Sequence, residues 1–232
     1  MEGMLFSSPF PVQRTQVILH RGSKYLVPAS IVPLDEQNWR LFADWDLEDW
    51  EVQRKLEWYR RPFVLDLLVK QAGGREKTFV LLTHLPDFPR LLHECIHLQP
   101  PLTAEHPAVQ AQAALTVMVK EGKSTTIYNI ETAPWNKFAP EHRFFSLPAA
   151  ALFFFAAQHY LATCAAGNRF ILSYPTDDGV VFYEKKLHLE LRWSKGSERY
   201  ALVERSSLER SLSAYKKGLA QLQQTLPQYR AD

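Results

Sequence analysis

The apolar run LPAAALFFFAA, residues 147–157, constrains this chain more than any other stretch. Three consecutive phenylalanines set among alanines leave no polar face, so a helix here has to be covered on every side. The run ends at Gln158-His159. It is too short to cross a bilayer and reads as a buried helix. A proline near its start and Gly167 beyond its end frame a helix over 147–167. The chain has 232 residues, 46% apolar and 22% charged. That is enough for one good core, or at most two small ones.

Segments rich in β-branched and aromatic residues surround this helix and predict the sheet that covers it. They are TQVILHR (15–21) and SKYLVPAS (23–30), paired across Gly22; PFVLDLLVK (62–70) and KTFVLLTHL (77–85), joined as a hairpin through Gly73-Gly74; AALTVMVKE (113–121) and STTIYNIET (124–132), joined through Gly122-Lys123; then NRFILSY (168–174), LHLELRW (187–193) and RYALVER (199–205). Shorter helices are expected over 35–45, 46–59 and 177–186. Fifteen prolines against nine glycines point to stiff, sharply ended loops.

From Ser206 the pattern changes. Ser206 and Glu209 have capping-box spacing, and Leu208, Leu212, Tyr215, Leu219, Leu222 and Leu226 follow at steps of three and four. The expected organisation is a main domain over 1–205 and a C-terminal amphipathic helix over 206–232. That stripe suits a helix docked on its own domain, or one that pairs with a second copy or another partner.

Net charge is +2, from 27 basic and 25 acidic residues, which gives no electrostatic footprint for nucleic acid or an anionic membrane. Cys95 and Cys164 lie far apart in apolar surroundings and read as two buried thiols in a reducing compartment. The first residues carry neither a basic segment nor a long apolar core of the signal-peptide kind. A cytoplasmic protein is expected.

His93-Glu94-Cys95-Ile96-His97 fits H-E-x-x-H, in which two histidines one helical turn apart grip zinc and the glutamate polarises a bound water. Pro100-Pro101 stops the segment just after the second histidine, and no third ligand stands out among Glu105, His106, Glu121 and His142. Zinc-dependent hydrolysis is therefore a third reading, and no metal ligand is assigned.

Residues 124–187 read as strand, loop, apolar helix, strand and short helix. This order, with NIETAPWN at a strand end and FYEKKLHLEL beyond the next strand, resembles the donor-binding half of the GNAT superfamily of N-acetyltransferases. The resemblance implies an α/β fold, with a GNAT-like mixed, mostly antiparallel sheet flanked by helices, to which this chain adds a C-terminal helix. It implies an acyl-CoA-dependent N-acyltransferase with acetyl-CoA or another acyl-CoA as donor and a small-molecule or protein amine as acceptor. Glu131 takes the place of a base for the amine, and Tyr183 that of the acid serving the departing thiolate. Thr132 and Ala133 offer backbone pairing to the pantetheine arm, and Ser173 lies near the cofactor. Arg143 and the amides of Phe145, Ser146, Leu147 and Ala149 form the pyrophosphate loop. The family's loop reads Q/R-x-x-G-x-G/A. Here Ser146 puts a side chain where close backbone approach is wanted, and Pro148 removes an N–H. Leu187-His188 stands where the family has a Gly-Phe pair. These departures leave a second reading: a catalytically silent domain of the same fold, used for binding or assembly.

Overall fold

A computed structural model describes residues 13–21, 23–34, 76–88, 90, 109–120, 123–133, 136, 145–194 and 199–230. The strands are β1 (Gln13–Arg21), β2 (Ser23–Pro33), β3 (Lys77–His84), β4 (Val109–Lys120), β5 (Ser124–Thr132), β6 (Phe145–Ser146), β7 (Arg169–Ser173), β8 (Leu191–Trp193) and β9 (Tyr200–Val203). The helices are α1 (Pro148–Thr163), α2 (Asp177–Val181), which runs on into a π-helical turn (Phe182–Lys186), and α3 (Arg205–Thr225). Among the described residues no helix is long and apolar enough to cross a membrane.

The strands form one sheet in the order β6-β1-β2-β3-β4-β5-β7-β9-β8. Every neighbouring pair is antiparallel except β5 and β7. That exception follows from the connection, because parallel neighbours need a crossover, and α1 supplies it. The expected mixed, mostly antiparallel α/β architecture with an added C-terminal helix is what the chain adopts. One expected pairing is corrected. β3 has β2 on one side and β4 on the other, so it does not take 62–70 as its hairpin neighbour. The segment 62–70 and the helices expected over 35–45 and 46–59 lie outside the described residues.

The three phenylalanines of α1 explain how the layers hold. Successive helix residues turn by about 100°, so adjacent side chains face different walls. Phe153 meets Phe170 of β7 edge-on at 5.7 Å, Phe154 stacks on Tyr215 of α3 at 4.5 Å, and Phe155 meets Phe79 of β3 at 5.0 Å. All three are buried. Such aromatic contacts each add about 0.5–1.5 kcal/mol beyond simple burial.

The helix α3 begins one residue before the expected capping box. Glu204 is the cap residue and makes no side-chain cap bond, and Ser206 is exposed. The first residue of α3 instead caps α1. The Arg205 guanidinium donates to the carbonyls of Cys164 (3.0 Å) and Leu161 (3.3 Å) and lies 5.5 Å over the Tyr160 ring. A cation there satisfies helix-end carbonyls and complements the α1 dipole. The stripe on α3 packs onto its own domain, with Leu208 and Leu212 buried and Tyr215, Leu219 and Leu222 half-buried. Beyond the helix, the Leu26 N–H of β2 donates to the Pro227 carbonyl (2.9 Å), and the Tyr229 N–H donates to the Leu26 carbonyl (2.9 Å). The Tyr229 ring sits edge-on to Tyr25 at 5.7 Å, and its hydroxyl donates to Asp87.

Gly218 lies within α3, and a Cβ added there meets no atom within 4 Å. Helical glycine costs about 0.5–1 kcal/mol relative to alanine. Gly218→Ala is expected to raise the unfolding free energy by about that amount, measured as a higher urea midpoint at unchanged slope.

Candidate functional site

Parallel pairing of β5 and β7 runs only from Ser124↔Arg169 to Ile127↔Leu172. Beyond it β5 continues through Tyr128 to Thr132 without β7 as its neighbour, because β7 ends at Ser173, which leaves a gap beside the carboxyl end of β5. An irregularity on the other side of β5 falls at the same place. The register against β4 passes from Val117↔Ile127 to Thr116↔Asn129, which leaves Tyr128 as an inserted, unpaired residue. Such a bulge bends its strand and increases its twist. Carboxyl-end crevices of parallel strands are where open α/β sheets bind ligands.

Backbone direction within this gap follows from one hydrogen bond. The Ala133 N–H donates to the Gln112 carbonyl of β4 at 3.0 Å. Antiparallel alternation then points the peptide groups of Glu131 and Asn129 at β4, and those of Ile130 and Thr132 toward the β7 side. Thr132 thus turns its peptide groups away from β4, whereas the Ala133 N–H is held by Gln112 and its carbonyl accepts the Asn136 N–H at 2.9 Å. Ser173 is the last residue of β7, one step past the last residue that pairs with β5, and is half-buried.

Glu131 and Tyr183 lie near enough for the carboxylate to act on the phenol. Glu131 lies on β5 opposite Ala114. Tyr183 lies in the π-helical turn after α2, a type of irregularity common at functional sites. Its ring is buried between Phe153 (5.6 Å) and Phe182 (5.3 Å). Burial pushes its phenol well above the usual tyrosine range, and the nearby Glu131 carboxylate adds to the shift. The tyrosine is therefore a firmly protonated donor at neutral pH.

The loop that leads into α1 is held differently from the expectation. Asn136 donates to the Gln112 carbonyl (3.3 Å) and side-chain oxygen (3.0 Å), and accepts the Phe145 N–H (2.9 Å). Gln112 is itself the inserted residue of a bulge between β3 and β4, and it donates to the Thr83 hydroxyl at 2.9 Å. Thr83, Gln112, Asn136 and Phe145 are all buried. Phe145, expected to offer its amide to phosphate, has that amide engaged. Ser146 directs its hydroxyl to His20 of β1 at 2.6 Å. Leu147 caps α1 with φ 79°, a conformation that costs a residue with a side chain about 1–2 kcal/mol. The glycine-like backbone thus falls on Leu147, one position after the serine that raised the question. The Ala151 N–H makes the first intrahelical bond, to the Leu147 carbonyl (2.9 Å). Ala149 is left as an N-terminal amide with no acceptor inside the helix. The sixteen residues of α1, about 24 Å long, run back from this end to the start of β7. The helix N-terminus therefore lies at the same end of the sheet as the gap.

Arg143, Trp135 and the HECIH stretch at 93–97 lie outside the described residues. Among the described residues no group of three or more His, Cys, Asp or Glu side chains is placed to hold a metal ion. Cys164 is a buried free thiol. Asn136 was within the quoted NIETAPWN motif without a role. The only signal that could have found it is an amide placed three residues after Ala133, where it can close a turn.

No family model and no curated protein matches the chain. Among solved structures, it is similar to an acetyltransferase from Streptococcus agalactiae at 10% identity, covering 75% of this chain and 96% of that one, with a TM-score of 0.42. It is also similar to an acetyl transferase from Salmonella typhimurium that modifies the N-terminal serine of a 50S ribosomal subunit protein, at 11% identity, covering 75% and 92%, with a TM-score of 0.38.

Removing the amide at 136 leaves the buried Phe145 N–H without its acceptor. Asn136→Ala is expected to cost about 2–3 kcal/mol in urea unfolding. The Tyr183 shift predicts a second outcome. Its phenol titrates near 10 in the unfolded chain and higher in the folded one. The resulting stability is complete below pH 10 and is lost as pH rises above it. Tyr160 and Tyr215 are raised by burial too. Tyr183→Phe should therefore lessen, without abolishing, the fall in urea midpoint between about pH 9 and 11.

Proposed function

We propose that this chain is an acyl-CoA-dependent N-acyltransferase that moves an acyl group, most simply acetyl, from the thioester to an amine. The observation that supports the reading is the placement of Glu131 near the carboxyl end of β5, where pairing with β7 has stopped, close enough for its carboxylate to act on the buried Tyr183 phenol. The thioester arm lies along the β7-facing edge of Ile130–Thr132, with Ser173 across the gap. Glu131, directly or through water, takes the proton that the attacking amine loses. The amine nitrogen bonds to the acyl carbon, the carbon–sulfur bond breaks, and the thiolate takes the Tyr183 proton. Ala149 and Leu147, with Arg143, offer what phosphate contacts remain. The acceptor is a small-molecule or protein amine.

A silent domain of the same architecture is the second reading. The engaged Phe145 amide, the Ser146–His20 hydrogen bond and the missing Pro148 donor favour it, since they deplete the phosphate loop.

Calorimetry with acetyl-CoA separates the two. Measurable binding supports the transferase, and no binding at millimolar donor overturns it. In the transferase, Tyr183→Phe should lower kcat by about 10²–10⁴-fold while donor affinity stays nearly constant, because the hydroxyl acts in the transition state. Equal kcat in mutant and parent removes Tyr183 from the acid role.

A further inference from the structure

We propose that Ser207 and Ser211 of α3 are positioning residues that fix the Tyr183 turn, acting through the segment 187–190. The two serines lie one turn apart, on one face of the helix. They alternate with Leu208 and Leu212 in an otherwise apolar contact, and both are buried. A buried helical serine commonly bonds a carbonyl of its own preceding turn. Ser207 does so, donating to Glu204 (2.9 Å), but its oxygen also accepts the Glu190 N–H at 3.1 Å. Ser211 reaches out of the helix altogether and donates to the Leu187 carbonyl. Arg210 pairs with the Glu190 carboxylate, so a third group of α3 grips the same segment.

The segment is tied in turn to the tyrosine. The Leu187 N–H donates to the Phe182 carbonyl and the Leu189 N–H to the Tyr183 carbonyl, each at 3.1 Å. Between them His188 holds φ 53°, which is strained for a residue with a side chain and persists only where its surroundings enforce it. Alanine at 207 and 211 would suit the helix better. The hydroxyls are explained by what they hold: the two ends of the chain reversal that returns to Tyr183. Phe153 and Phe182 flank the ring, so movement of the turn translates into movement of the phenol oxygen.

The kinetic consequence rests on the transferase reading, whereas the geometric one does not. The test places 3-fluorotyrosine at 183 and compares the parent with Ser211→Ala and with the double variant Ser207→Ala/Ser211→Ala. The parent should give one sharp fluorine resonance. The variants should give a broadened or split one, while their circular dichroism and acetyl-CoA affinity match the parent. Turnover should fall by about tenfold to a hundredfold, the scale of a displaced catalytic group, with the donor KM held within about twofold. Ser211→Thr, which keeps the hydroxyl, should recover the sharp resonance. A sharp, unshifted resonance in the double variant overturns the proposal, as does unchanged kcat in an active enzyme. If the parent transfers no acyl group, the transferase reading fails and the fluorine comparison alone decides the clamp. If the double variant does not fold, the single Ser211→Ala variant carries both measurements.

Discussion

The contact on which the rest of this molecule depends is made three times over by Phe153, Phe154 and Phe155. Because each points to a different wall, one turn of α1 bonds β7 and the Tyr183 turn, the C-terminal helix, and the middle of the sheet at Phe79. A helix with a single apolar stripe could satisfy only one of these. The cost is that α1 has no solvent face over that turn, so α3 is part of the fold rather than an appendage to it. Arg205 strengthens the same connection from the other end, by closing the carbonyls where α1 stops.

Two bulges shape this end of the sheet. Tyr128 is the inserted residue of β5 just where its pairing with β7 stops; Gln112 supplies a carbonyl and an amide side chain that fasten the loop that follows. The fastening has a chemical consequence. Asn136 secures the loop by engaging the Phe145 amide, which is one of the groups a phosphate would have used. Rigidity and any anion binding would compete here for the same N–H.

Period-two strands and the apolar helix made the sheet and α1 legible, and with them the order β5, α1, β7. Glu131 and Tyr183 were singled out by the resemblance carried by NIETAPWN and FYEKKLHLEL, not by spacing alone. What sequence could not convey was backbone bookkeeping. Nothing in Ala133 or Phe145 reveals that its amide is engaged by a residue over twenty positions away, or only nine. The neighbour of β3 was misread because Gly73-Gly74 is a strong local turn signal, while long-range strand order leaves no local mark. The cap of α3 was misplaced by two residues because Ser206 has the spacing of a cap, yet Glu204 is the cap residue and Arg205 lies inside the helix, paired with Glu209 at 3.0 Å and holding α1.

The short parallel bridge of Pro227–Tyr229 on Leu26 has a bearing on solubility. β3 meets β2 only from Ala29 onward, so among the described strands nothing else pairs with the stretch around Leu26 on that side, and an unpaired β-edge is the kind of template on which chains associate indiscriminately. The bridge covers it with a proline-led segment, and proline cannot donate to a further strand. The segment after α3 thereby occupies backbone groups that such association would use, through two hydrogen bonds and one tyrosine.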